Sequence, residues 1–155
     1  MISAIDTNIL LDILIPDEKY AISSKNLIEK SKEKGKLLIC EIVYSELASQ
    51  FPSSEDLELF LNDTGIQLQL SSMASLSIAG ERWKEYAARE SQALQCAVCG
   101  KKISINCPYC DNTVSYRQHL ISDFIIGANA LVHADVLLSR DRGYYKTYFK
   151  ELVVN

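Results

Sequence analysis

The sequence lacks a long hydrophobic run. A membrane-spanning helix needs roughly 18 to 20 consecutive apolar residues. The longest candidate, Leu120 to Leu138, is broken by Asp123, Asn129, His133 and Asp135. No basic segment precedes the first apolar residues, and Asp6 interrupts them, so no secretory signal is expected and a cytoplasmic location is. An excess of basic charge is missing too: 16 Lys and Arg stand against 20 Asp and Glu, a net charge of −4. A polyanion therefore meets no general attraction and must be held by a local site or through bound cations. There is no internal repeat, low-complexity tract or flexible linker. What remains is the balance of a folded domain: 155 residues, 48% apolar and 23% charged. That balance excludes global disorder, whose signature is low hydrophobicity with high charge. The length suits one domain with at most a small appendage.

Short apolar segments alternate with helical ones. Ile2 to Ile5 reads as a buried strand ending at Asp6; Thr7 and Asn8 then open a short helix that ends before Pro16. A helix from about Glu18 to Lys34, with Tyr20, Ala21, Leu27 and Ile28 inward, ends at Gly35. Lys36 to Cys40 is a strand; helices follow over Ile42 to Gln50 and from Ser53 or Ser54 to about Asn62. Ile66 to Leu70 alternates as a strand, and a long helix runs on to about Leu94, with Leu76, Trp83 and Tyr86 or Ala87 as its inner stripe. A second long helix is expected from about Ser115 to His133, then a strand Val136 to Leu138, a short helix, and a last strand Leu152 to Val154. This order indicates an α/β fold, a parallel sheet covered on both faces.

Four of the five cysteines fall within 15 residues, as Cys96-Ala-Val-Cys99 and Cys107-Pro-Tyr-Cys110. Two such pairs can hold one tetrahedral zinc ion through four thiolates. Two disulfides or a redox pair are the other readings; a cytosolic setting disfavours the first, and the second needs no twin. With every ligand from protein the zinc would be structural, and its binding would supply most of the folding free energy of so small a segment. Lys101 to Asn106 has the alternation of a small hairpin. The segment interrupts two long helices and so reads as an insertion. Cys40, at the end of Leu37-Leu38-Ile39, reads as a core cysteine.

Four acids have unusual surroundings. Asp6 follows the first strand and Asp141 follows the strand Val136 to Leu138. Ligands of parallel sheets bind outside the carboxyl ends of the strands, so these two acids are placed to converge. Their ordinary roles would be a helix cap and a turn residue. Asp123 lies among Leu120, Ile121, Phe124, Ile125 and Ile126, with Gly127 and Ala130 on its helical face. An ionised acid there calls for a cation, and the small neighbours are expected to leave room for one. Glu46 sits on the helix after the second strand, where a solvated glutamate is the ordinary reading. Carboxylates meeting in one cleft repel each other, and divalent cations relieve this. Hard oxygen ligands suit Mg²⁺ or Mn²⁺, which stabilise charge on an attacked phosphoryl group. A D-x-D phosphatase motif is incomplete at Asp6-Thr7-Asn8, and no GxxxxGK phosphate loop occurs.

The stretch Ala4-Ile5-Asp6-Thr7-Asn8-Ile9-Leu10-Leu11-Asp12 resembles the opening motif of the PIN-domain ribonucleases. Tyr44-Ser45-Glu46-Leu47 resembles their second acidic motif, and Asp123-Phe124-Ile125-Ile126-Gly127-Ala128 their third. Ala134 to Tyr145, through Ser139-Arg140-Asp141, resembles the fourth. The resemblance implies a three-layer α/β/α sandwich with a central parallel sheet over residues 1–155; the four-cysteine zinc module, read from its spacing, would be an insertion at 96–112. It implies an endoribonuclease that uses Mg²⁺ or Mn²⁺, with Asp6, Glu46, Asp123 and Asp141 as the catalytic, metal-holding acids and Asn8 and Ser139 as polar supports. The family's products carry 5′-phosphate and 3′-hydroxyl ends. Many small members are VapC-type toxins, which dimerise and are blocked by an antitoxin. The cysteine segment departs from that plain pattern, so an RNA-processing role stands beside the toxin role. A reading of another class is a catalytically silent, zinc-bearing module that binds RNA or protein. Charge placement suggests a substrate face. No Lys or Arg occurs between Leu37 and Glu81, whereas Arg117, Arg140, Arg142, Lys146 and Lys150 gather near the third and fourth acids. Arg140 or Arg142 is expected to contact RNA phosphate. Tyr144, Tyr145 and Tyr148 offer rings for base stacking, at least one of them being expected in the core.

Overall fold

The computed structural model describes residues 1–16, 18–89, 94–95, 102–113 and 120–155. Its elements run β1 (Ile2–Ile5), α1 (Thr7–Leu14), α2 (Ala21–Lys34), β2 (Lys36–Ile39), α3 (Glu41–Ala48), α4 (Ser54–Thr64) and β3 (Ile66–Leu68), then α5 (Met73–Arg89), β4 (Leu94–Gln95) and β5 (Lys102–Ile103). The chain continues with α6 (Ile121–His133), β6 (Val136–Leu138) and α7 (Arg142–Tyr148). β3, β2, β1 and β6 form one parallel sheet in that order. Consecutive strand residues point to opposite faces, yet Ala4 and Ile5, Leu37 to Ile39 and Val136 to Leu138 are all buried. Helices therefore cover both faces, which is why these strands are apolar throughout and not alternating. β3 lies at the sheet's edge, and only Ile66 of its three residues is buried. The last segment adds a single parallel bridge, Leu137 to Val154, beside β6, where a full strand was expected. Among the described residues no helix is long and apolar enough to cross a membrane.

Local chemistry explains most boundaries. Ser53 caps α4 by accepting from the Asp56 N–H at 3.2 Å, and Gly65 ends it at φ +74°, a left-handed conformation that glycine adopts without cost. Gly35 serves another purpose: a Cβ there would fall 2.0 Å from the Met1 carbonyl oxygen. α2 begins at Ala21, later than its pattern suggested, with Tyr20 in the cap position. α5 differs from expectation at both its face and its end. Ser75, Ala79 and Tyr86 are its buried stripe, Trp83 packs partly buried beside them, and Leu76 is 42% exposed. Leu94, expected as its last turn, forms with Gln95 a strand antiparallel to β5, so Lys102 and Ile103, between the two cysteine pairs, pair with residues ahead of the first and not within Lys101 to Asn106. α6 starts at Ile121 and not near Ser115; residues 114–119 lie outside the described residues.

Phe124 is fully buried at the centre of an aromatic cluster. The rings of Trp83, Tyr86, Tyr144, Tyr148 and Phe149 stand with centroids 5.3–6.2 Å from its own, joining α5, α6 and the α7 region. Such pairs add to area burial by roughly 1 kcal/mol each. Two expectations are corrected here. Tyr144 and Tyr145 are buried in this core and offer no ring to a base. Gly127 leaves room for the Phe149 ring, which an added Cβ would approach to 2.7 Å, and not for an ion.

Candidate active site

The parallel sheet brings two strand ends together. The Asp6 N–H donates to the Leu138 carbonyl at 3.0 Å, so the residue after β1 lies beside the segment leaving β6. Asp6 occupies the cap position of α1, but its side chain makes no capping bond. Its Oδ2 accepts instead from the Ser139 hydroxyl at 2.6 Å, the Asn8 amide at 2.8 Å and the Tyr145 hydroxyl at 3.4 Å. Ser139 Oγ also accepts from the Asp141 N–H at 3.0 Å, so one hydroxyl ties the two strand-end acids together. Asn8 and Ser139 thus stand where polar supports of the acids were expected.

Asp6, Glu46, Asp123 and Asp141 all line one cleft of about 430 Å³, with Asn8 and Tyr145 but, among the described residues, no Lys or Arg. Asp6 is buried, Asp123 half-buried, and Glu46 and Asp141 exposed at the mouth. Glu46 accepts from the Thr7 hydroxyl. Asp123 sits in the first turn of α6, not mid-helix, and reaches back to the Leu120 N–H at 2.8 Å. Burial pushes the Asp6 carboxyl up to about 6; the Ser139 and Thr7 hydrogen bonds oppose this, and the Asp123 and Glu46 charges add to it. Burial, then the Asp6 charge, holds the Tyr145 hydroxyl well above its ordinary value, so it remains a donor.

The donor set is one of hard oxygens suited to Mg²⁺ or Mn²⁺. A buried carboxylate bonded only by neutral donors also fits such an ion. The acids share a cleft but stand apart: among the described residues no three His, Cys, Asp or Glu side chains form a ready metal-binding group. Protein donors engage Asp6, Glu46 and Asp123 each separately.

Sequence reasoning missed Asp12. It is buried on α1, with Oδ1 2.9 Å from an Arg140 guanidinium nitrogen and Oδ2 accepting from the Ser24 hydroxyl at 2.6 Å. The same guanidinium lies 4.4 Å from the centroid of the Tyr20 ring. The signal was present: Asp12 is embedded in Leu10, Leu11, Ile13 and Leu14 much as Asp123 is in its own apolar run. Arg142 is exposed on the first turn of α7, and Arg117 lies outside the described residues. So do Cys96 and Cys99 of the expected zinc set. Cys107 and Cys110 lie in a turn and are not disulfide-bonded, and the N–H groups of Tyr109 and Cys110 lower the Cys107 thiol. Cys40 is a buried core residue as expected, its thiol pushed up to about 11, chiefly by burial.

The family model of the PIN domain matches residues 4–150. The chain belongs to the PIN domain family. PIN domains are in general nucleases, which supports a nucleic-acid hydrolase role for this one. No curated protein matches the sequence. Two solved structures share the PIN fold. The structure of VapBC2 from Rickettsia felis, bound to a DNA fragment from their promoter, aligns at a TM-score of 0.61 and 18% identity, covering 100% of this chain and 98% of that one. That of VapBC-1 from nontypeable Haemophilus influenzae aligns at 0.63 and 15% identity, covering 100% and 97%.

Proposed function

We propose that the acid cleft is the active site of a divalent-metal-dependent endoribonuclease. The observation that carries the reading is Asp6, a buried carboxylate whose side-chain partners are all neutral, in a cleft lined by three further acids and, among the described residues, no base. Asp6, Asp123 and Asp141, with Glu46, would hold Mg²⁺ or Mn²⁺. Bound there, the ion offsets charge on the phosphoryl oxygens and lowers the pKa of water. The chain's own residues fix the acids. Ser139 and Asn8 orient Asp6 Oδ2, Tyr145 donates to the same oxygen, and Ser139 sets the backbone of Asp141 against it. A positive charge in the cleft stabilises the ionised form of Asp6, reversing the effect of burial.

An antitoxin partner, a toxin role and a homodimer follow from the VapC-type resemblance; an RNA-processing role suits the cysteine segment. Residues 96–112 are read as an inserted structural zinc module with Cys96, Cys99, Cys107 and Cys110 as ligands. The N–H groups that face the Cys107 sulfur support that reading. The alternative is a catalytically silent binding module. Cleavage of end-labelled RNA by purified protein with Mn²⁺ or Mg²⁺, against EDTA and Asp6→Asn, separates the two. Cleavage that needs both metal and Asp6, leaving 5′-phosphate and 3′-hydroxyl ends, is expected. Full-rate cleavage by Asp6→Asn, or none on any RNA, would overturn the nuclease.

A further inference from the structure

A second cleft, of about 390 Å³, adjoins the first across the segment after β6. Ser139, Arg140 and Arg142 line it together with Tyr20, Ser23 and Ser24, whereas Asp141 of the same segment lines the acid cleft. Among the described residues the two clefts have opposite signs: no acidic side chain lines the second and no base lines the first. The serine hydroxyls of the second cleft are already committed as donors, Ser23 to the Tyr20 carbonyl, Ser24 to Asp12 and Ser139 to Asp6. Its character is therefore set by the two guanidinium groups. Arg140 is fixed from two sides, by Asp12 and by the Tyr20 ring. The bond to Asp12 uses one nitrogen of a group with five N–H donors. Arg142 makes no ion pair among the described residues, so its charge is not neutralised by a described acid.

We propose that this cleft is a phosphate subsite, taking a backbone phosphate of the RNA strand next to the one held over the acids. The proposal rests on the nuclease reading. An acidic chain with no Lys or Arg between Leu37 and Glu81 has few places to receive a polyanion. A pre-oriented arginine beside an unpaired one, adjoining the acid cleft, is such a place, because the guanidinium fork matches phosphate oxygens. Arg140 supplies orientation and Arg142 supplies most of the uncompensated charge.

The test uses protein carrying Asp6→Asn in EDTA, so that neither metal nor cleavage contributes. Binding of a 5′-fluorescein single-stranded RNA is followed by anisotropy across a salt series. Arg142→Gln is expected to weaken binding several-fold and to reduce the slope of log K against log salt by about 0.7, the value for one phosphate on a single strand. Ser23→Glu, at an exposed position of the cleft, is expected to weaken binding at least as much. Lys84→Gln on α5 makes the same charge change away from the cleft and is expected to leave the slope unaltered. The subsite is overturned if Arg142→Gln and Ser23→Glu behave like Lys84→Gln, or if the parent binds no RNA in EDTA; a carboxylate of a protein partner would then be the anion to test. Slope loss without cleavage by the wild-type protein would keep the subsite and remove the nuclease. Cleavage with an unchanged slope would do the reverse.

Discussion

Asp6 and Asp12 are both buried, on one short stretch of chain, and they are treated oppositely. Asp12 is neutralised within the protein, by Arg140 at 2.9 Å and the Ser24 hydroxyl at 2.6 Å. Asp6 receives only neutral donors, and burial, with a smaller push from the charges of Asp123 and Glu46, raises it to about 6. A buried acid that the fold pairs is a structural tie. One left without a cation, at the carboxyl end of a central strand, is destabilising to the isolated chain and useful only if something positive arrives from outside. The segment after β6 serves both: Ser139 and Asp141 belong to Asp6, Arg140 to Asp12.

RNA cleavage with Mn²⁺ is expected to fall by at least about 100-fold in Asp6→Asn, the scale of losing one placed transition-state stabiliser. Asp12→Asn, measured in the same assay, should lose far less; equal losses would erase the distinction. In chemical denaturation Arg140→Ala should cost about 3 kcal/mol, because Asp12 is left buried without its cation. Asp12→Asn should cost less, since Arg140 is 39% exposed and can turn to water; the reverse order would mean that Asp12 is not the buried member of the pair.

Asp6→Asn should instead stabilise the metal-free protein at neutral pH. The sign follows from the raised folded-state value. Below the unfolded value of 3.8 the acid is protonated in both states and costs nothing. As pH rises through about 6 the native state must ionise it unfavourably, and the cost reaches at most about 3 kcal/mol for a shift of some two units. The gap in melting temperature between Asp6→Asn and wild type should therefore open between pH 4 and about 6 and stay open above. A gap independent of pH would show that the carboxyl's ionisation is not its origin. Ser24→Ala, which removes one donor to Asp12, is the smallest expected effect, about 1 to 2 kcal/mol; no change would mean that Arg140 alone satisfies Asp12.

Much of this arrangement was legible in the sequence. The parallel sheet follows from apolar segments alternating with helices, and the carboxyl-end placement of Asp6 and Asp141 from apolar segments that end in an acid. Asp123 was found for a partly mistaken reason. It was placed in the middle of a helix from about Ser115, with small neighbours leaving room for an ion, but α6 begins only at Ile121, so the acid belongs to the first turn and its glycine neighbour seats Phe149. Leu76 was assigned inward because the period alone does not say which of two adjacent stripes faces the core; Ser75 and Ala79, small enough for close helix packing, took that role. The Asp12–Arg140 pair spans most of the chain, and nothing local in either residue announces the other. Sequence reasoning therefore treated Arg140 and Arg142 as equals, whereas Asp12 separates them.

Mn²⁺ stabilisation of the folded protein is read as the shift in melting temperature across a Mn²⁺ titration for wild type, Asp6→Asn and Asp12→Asn. If the unpaired charge of Asp6 awaits a cation, Mn²⁺ raises the melting temperature of wild type and of Asp12→Asn but not of Asp6→Asn. An equal rise in all three proteins, or none in wild type, would contradict it.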